Sequence, residues 1–484
     1  MKFARHLAGY LPVNLATALA SFGGVYAFSR LLGPDEYGRY ALMFSVMALI
    51  HTASLAPAES AAYRFTASAK AEGDLANHYA TIRGLLLRSL VVAGLIILVV
   101  AVALRNMPDY FDILPWIALL LPLNTAIQTS LEAQRANHQV RRYALVATSK
   151  LLGGFAVGVL AAWKTDAGAA APFIGLVAAS ALLFLTEAPW LWAQGKGGRA
   201  DPARMKTYLG YGLPIAAALC LDLFLSAADR LLIAVFMGEA SVGEYAAGYG
   251  VADKTVLLIC AWAAMAGSPL VMSAYEENGP EAASREAGGL IRIILLVGLP
   301  AATGLALVAK PLAEAMIGED LRQGAMQIIP WIAFSGLMNG LLIHYYSEAF
   351  QLAKKTKERA LLMGIPVVVN VVANLVLIPQ FGLLGAVGAT IGSYGVGILL
   401  LGGFGRKYVA LPLPLLDLGK IALASLAMWP AVMLVPEIGA WAELFAKAIV
   451  GGAAYVVVAF VIDAGGARSF VQDSRAASRQ AGAS

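Results

Sequence analysis

One apolar stretch, residues 209–237, carries four side chains capable of charge chemistry: Asp222, Ser226, Asp229 and Arg230. The first three recur on one face at helical spacing, and Arg230 lies slightly around the barrel. An ionised group at the centre of a bilayer costs about 3 kcal/mol, so this face is expected to line protein or water. Asp222 is a candidate for a central cavity or for a proton or cation site, while Asp229 and Arg230 suit either the same surface or a structural network near an interface. The next stretch adds Asp253 and Lys254. Lys254 either neutralises Asp222 or Asp229 or offers positive charge to an anionic substrate. Nearer the N-terminus, Asn14, Arg30, His51 and Glu59 lie in or beside the first two stretches. Arg30 is close enough to a turn to snorkel toward water. His51 is deeper and isolated, as an ordinary hydrogen-bonded histidine would be. Glu59, Glu132 and Glu348 fall near the ends of their stretches, where basic joints can pair with them or a gate can use them.

The elements that must position these groups are about fourteen long apolar runs joined by short polar segments. They cover residues 10–32, 39–62, 85–104, 113–133, 143–163, 172–194, 209–237, 244–273, 290–309, 325–350, 361–379, 383–404, 419–435 and 440–462. Of the 484 residues, 60% are hydrophobic and only 13% charged, whereas a soluble domain carries about 25% charged residues. Mean hydropathy is +0.73. A run of about 20 apolar residues crosses the hydrocarbon core, so the fold class expected is an all-α polytopic membrane bundle. The joints leave no room for a sizeable extramembrane domain.

With the N-terminus placed in the cytoplasm, alternate joints collect 24 basic residues, from Lys2 and Arg5 through Lys354, Lys355 and Lys357 to Arg475 and Arg479. The opposite joints hold Arg39, Arg105, Lys164, Lys310 and Arg322 among acids such as Asp35, Glu36, Asp109 and Glu437. That asymmetry predicts an even number of spans with both termini cytoplasmic. The net charge of +5 is therefore a topology signal and not a nucleic-acid platform. Basic joints also attract anionic membrane lipids. The start of the chain reads as a retained first helix, since the apolar pattern continues without a small-residue cleavage site.

Residues 32–41 and 237–246 share both glycines, the tyrosine and the alanine at a constant offset: Gly33 with Gly238, Gly38 with Gly243, Tyr40 with Tyr245 and Ala41 with Ala246. Each copy joins the first two helices of a six-helix unit, so parallel repeats related about the membrane normal are expected, with a cavity between two lobes. The domain reading is a six-helix lobe over 1–206, a second over 207–405, two further helices over 406–465 and a cytoplasmic tail over 466–484. Glycines inside the spans suit close helix packing. Pro214, Pro300 and Pro366 mark places where helices can bend. Cys220 and Cys260 read as small buried hydrophobes, since neither has a partner at metal-ligand spacing. There is no phosphate-binding glycine loop, no HExxH pair and no joint large enough for a nucleotide-binding domain, which excludes an ATPase within the chain.

Three segments resemble a known family. Phe28-Ser29-Arg30-Leu31-Leu32-Gly33-Pro34-Asp35-Glu36-Tyr37-Gly38-Arg39-Tyr40 is similar to the first-helix exit of the bacterial polysaccharide-transport proteins, the oligosaccharide flippase family. Ser226-Ala227-Ala228-Asp229-Arg230-Leu231-Leu232-Ile233, followed by Gly238 and Val242-Gly243-Glu244-Tyr245, looks like the corresponding place in the second lobe. The run from Asn370 and Asn374 to Pro379-Gln380-Phe381-Gly382, then Leu384-Gly385-Ala386, resembles the eleventh-to-twelfth helix turn. The family belongs to the multidrug, oligosaccharidyl-lipid and polysaccharide flippase superfamily.

The resemblance implies an inner-membrane protein, not an enzyme, that moves a polyprenyl-diphosphate-linked oligosaccharide outward by alternating access. No catalytic residue, metal or bound cofactor is expected, and the drive to be tested is a proton or a sodium gradient. Expected partners are the lipid-linked glycan and membrane lipids, with a polysaccharide polymerase or glycosyltransferases beside it, and no nucleic acid. Competing readings are a multidrug cation antiporter using acids such as Asp222, a peptidoglycan-precursor flippase, a membrane glycosyltransferase or polymerase, and a non-transporting assembly factor.

Overall fold

The computed structural model describes residues 2–468, with side chains from Pro12 onward. The side chains of Lys2 and Arg5, and Arg475 and Arg479 altogether, lie outside the described residues. Within them the chain forms α-helices and short turns, with no β-strand among the described residues.

In order, the helices are α1 (Lys2–Leu31), α2 (Pro34–Ser54), α3 (Ala56–Ala71), α4 (Leu75–Leu104), α5 (Pro108–Phe111), α6 (Leu114–Ala136), α7 (Val140–Lys164), α8 (Ala171–Gln194) and α9 (Pro202–Met237). There follow α10 (Glu239–Leu307), α11 (Ala309–Met316), α12 (Arg322–Leu341), α13 (Glu348–Leu352), α14 (Thr356–Phe381), α15 (Leu383–Gly405), α16 (Leu415–Leu426), α17 (Met428–Met433) and α18 (Ala440–Val461). A π-helical turn, Leu342–Tyr346, joins α12 to α13. Several helices begin on proline, whose missing N–H costs nothing in a first turn: Pro34 for α2 and Pro202 for α9. Gly238 and Gly382 end α9 and α14 at φ of 89° and 57°, values that a residue with a Cβ adopts only under strain.

Among the described residues, ten helices or helix runs are long and apolar enough to cross a membrane, and α2 with α3, bent by 51° about Leu55, make an eleventh. The protein is thus a multi-pass, membrane-embedded helical bundle. The 69 residues of α10 are interrupted at Gly279, where φ 80° and ψ −171° break the helix between the runs expected at 244–273 and 290–309. At Pro214, Pro300 and Pro366 the helices run on. The sharp bend comes instead at Leu55, because Pro57 has no N–H to continue the ladder and its ring crowds the preceding turn.

The chain divides into two units, up to Gly243 and from Glu244 onward. In the first, α7 packs along α8 and α1, α6 along α8, and α9 against α2 and α3. The α7–α8 contact depends on glycine: a Cβ on Gly175 would overlap the backbones of Gly154 and Gly158. Without a hydrophobic drive between helices in lipid, such close backbone approach supplies the attraction. A core of Met43, Leu55, Ile113, Ile117, Leu121 and Phe173 fills the space between α2, α6 and α8. The two repeated turn sequences touch within this unit, for a Cβ on Gly38 would overlap the Glu239 carbonyl. Arg39 reinforces the contact, reaching Glu239 and Glu36 at 2.9 Å and Asp109 at 3.2 Å. In the second unit α14 pairs with α15, α15 with α12, and α18 with α11, α16 and α17.

Candidate functional site

The bend after α2 assembles the first group of charges. His51 closes the last turn of α2 and Glu59 opens the first turns of α3, and their side chains meet at 3.1 Å. The sequence leaves His51 isolated; the structure corrects this. Residues eight apart on a straight helix are separated by about 12 Å along the axis, and only the bend lets them bond. Lys150 of α7 and Glu132 of α6 stand within electrostatic reach of Glu59. Glu132 also accepts hydrogen bonds from Gln128 at 3.1 Å and from Arg135 at 3.1 and 3.2 Å. Glu59 thus belongs to a set drawn from four helices and not only to a basic joint.

A second hub lies between α6, α7 and α8. The buried Glu187 accepts from Ser130, from Gln134 at 2.8 Å and from Arg142 at 3.0 Å. The Arg142 guanidinium also stands 4.5 Å from the Trp190 ring centre. Phe65, Ser68, Glu72, Arg204, Thr207 and Tyr208 border an open cavity of 320 Å³ between α3 and α9.

On α9, Asp229 is fully buried, Asp222 is half-buried, and Arg230 donates to the Ser45 hydroxyl of α2 at 3.0 Å. Ser226 donates back to the Leu223 carbonyl at 3.0 Å, the usual recourse of a serine in an apolar helix. Arg30 is exposed on α1, where it donates to the Tyr26 carbonyl at 3.0 Å and lies 4.0 Å from that ring's centre. Asn14 is exposed on the same helix. Arg230 is therefore brought to α2.

In the second unit Asp253 is buried on α10 and the adjacent Lys254 is exposed. Tyr249 and Cys260 are the electrostatic neighbours of Asp253 one and two turns away. Asn370, Asn374, Thr390 and Ser393 are fully buried between α14 and α15. The Asn374 amide donates to the Asn370 carbonyl and side-chain oxygens at 2.9 and 3.1 Å, and the Asn370 amide to Ser393 at 3.3 Å. Cys260 is buried as expected; Cys220 keeps partial exposure. Among the described residues no three His, Cys, Asp or Glu side chains gather as a metal site.

Sequence reasoning missed Lys150, the Glu187 hub and the asparagine ladder. Lys150 had a signal, a lysine in the middle of the apolar run 143–163, belonging to neither set of joints. So did Asn370 and Asn374, amides one turn apart in an apolar run. Glu187 had the same signal, an acid inside the apolar run 172–194, but its partners lie on two other helices, α6 and α7.

A family model described as polysaccharide biosynthesis protein matches residues 27–323. Among solved structures, a lipid II flippase in an inward closed conformation is similar in fold at TM-score 0.73 and 16% identity, covering 93% of this chain and 98% of that one. An inward-facing multidrug resistance transporter of the MATE family aligns at TM-score 0.66 and 15% identity, over 82% of this chain and 97% of its own. A MATE transporter of Vibrio cholerae follows at TM-score 0.56 and 16% identity, over 84% and 97%. No curated protein matches in sequence.

Proposed function

The chain belongs to the polysaccharide biosynthesis protein family, and from that premise we propose that it is an alternating-access flippase. Its cargo is a polyprenyl-diphosphate-linked oligosaccharide, moved from the cytoplasmic to the outer leaflet for surface or exported polysaccharide assembly. The observation that carries the reading is the family match over residues 27–323 in a chain whose helices bury ionisable groups. Likeness in fold to a lipid II flippase supports a lipid-linked cargo.

A hydrophilic head group needs a protein-lined polar route while its polyprenyl tail stays in lipid, and side chains such as Asp222, Asp229, Asp253 and Lys254 are costly anywhere else. The activity is transport and not catalysis. In this reading the spans number fourteen, arranged as six-helix lobes over 1–206 and 207–405 with two further helices over 406–465. The bias of basic residues puts both termini in the cytoplasm and the bundle in the inner membrane. A proton or sodium gradient drives the cycle, since a charge crossing the membrane gains about 2.3 kcal/mol per 100 mV. A polysaccharide polymerase or glycosyltransferases receive or prepare the cargo.

The test is outward movement of a lipid-linked glycan in vesicles holding the full chain. Asp222→Asn and Lys254→Gln should slow it at normal protein levels; wild-type rates in both would remove these residues from the transport route. Two further readings have observations behind them. The MATE likeness favours drug export, which efflux of a cationic dye would reveal. The lipid II flippase likeness favours a peptidoglycan precursor, which rescue of cells depleted of their own lipid II flippase would reveal.

A further inference from the structure

The α2–α3 bend and the bond across it form one device. Pro57 supplies no N–H to the backbone ladder, which crosses the bend only through Leu55, bonded to His51 O and accepting from Ala58 and Glu59, so side chains share in holding the angle between α2 and α3. His51 Nε2 and Glu59 Oε1, at 3.1 Å, make the polar contact that bridges the 51° bend. A neutral imidazole donating to a carboxylate already makes a charge-assisted bond; adding a proton to the imidazole ionises both partners and adds the attraction of an ion pair to that bond. Proton occupancy and the strength of this link across the bend are thereby tied together.

The surroundings leave the extra charge to His51. From α6 come Glu132 and Arg135, bonded to one another, and from α7 comes Lys150. With Glu59, these four groups sum to zero. Helix α9 presents Gly212 to Pro57 and carries no charged side chain between Lys206 and Asp222, only Tyr208, Tyr211 and Cys220. On α4, Arg83 lies over Trp192, Arg88 reaches Met205, and His78 bonds Thr66 and Tyr208. On α3 itself, Tyr63 lies under Arg135. Nearby α8 supplies Glu187, which is bonded to Arg142, and α1 contributes Asn14 and Arg30, both exposed. A metal cation would meet the Lys150 ammonium, whereas a proton needs only the imidazole nitrogen. His51 keeps 20% of its side-chain surface accessible and Glu59 10%, so the histidine is the more open of the two.

We propose that the His51–Glu59 pair is a proton-binding site inside the N-terminal unit, through which a proton gradient acts on the α2–α3 bend. The coupling half of this statement rests on the transport reading above; the binding half does not. Infrared titration of the full chain in lipid nanodiscs tests the binding half. A linked imidazole and carboxylate change on lowering the pH is expected in the wild type and lost in Glu59→Gln and in His51→Gln. Its absence from the wild type, which needs no variant to fold, overturns the proposal, as does its persistence in Glu59→Gln. For the coupling half, the readout is the ratio of glycan movement with a proton gradient to movement without one. It should exceed unity in the wild type and collapse to unity in both variants; an undiminished ratio in Glu59→Gln overturns the assignment. If the wild type moves no glycan under either condition, the transport reading falls, and the titration still decides whether the pair binds a proton.

Discussion

The hub around Glu187 in the first unit and the ladder of Asn370, Asn374 and Ser393 in the second both bury polar atoms between apolar helices, but by opposite chemistry. Glu187 is an ion held by a cation and two neutral donors from α6 and α7. The ladder is neutral, amide to amide to hydroxyl, built on α14 and α15. An ion sealed from water depends on every partner, whereas a neutral amide has cheaper alternatives within its own helix. The first unit therefore concentrates its polar energy in a few bonds, and the ladder spreads it.

Removing one partner from each should expose this difference. Arg142→Met leaves a buried carboxylate without its cation. Breaking such a pair costs about 3–5 kcal/mol, and the partial exposure of Arg142 puts the loss at the lower end. Unfolding of the purified protein in micelles measures it. Adding Glu187→Leu should recover much of the loss, and a double variant no better than the single would show that the ion pair is not what matters. Asn374→Leu should cost less, about 0.6–1.7 kcal/mol, the range for hydrogen bonds between membrane helices. An equal loss in the two variants would erase the contrast.

The smallest effect belongs to the exposed Lys310–Glu437 pair at 2.7 Å. Lys310→Gln should leave the melting temperature unchanged within error at neutral pH. Glu437's carboxyl is held below its ordinary value by Lys310, and Lys310 is raised by Glu437. Whatever coupling exists is present between the ordinary carboxylate and lysine ranges. It disappears in acid as Glu437 protonates at its lowered pKa, and in alkali as Lys310 deprotonates at its raised one. A melting shift that appears at neutral pH and survives high salt would contradict a screened surface pair.

Helices were most legible where hydropathy alone defines them. The run expected at 383–404 forms α15 (Leu383–Gly405), and that at 440–462 forms α18 (Ala440–Val461). The run at 85–104 begins ten residues too late, because α4 (Leu75–Leu104) opens with His78 and Tyr79, polar or amphipathic side chains that are buried by neighbouring helices. The single span expected at 39–62 is two helices, since a proline after an apolar run reads equally well as tolerated or as breaking. Of the candidate residues, the α9 face from Asp222 to Arg230 was visible in its spacing. Arg230's bond to Ser45 was not, because the two lie 185 residues apart.

By itself the sequence determined that this chain lives in a membrane as helices, because apolar length and the placement of basic residues are local properties that a bilayer reads directly. Which charges meet was decided only by tertiary structure. His51 reaches Glu59 through a bend, Lys150 approaches Glu59 from α7, and Arg142 meets Glu187 across two packed helices. Side-chain pairing falls off within a few ångströms, and the chain order does not encode which helix faces lie that close.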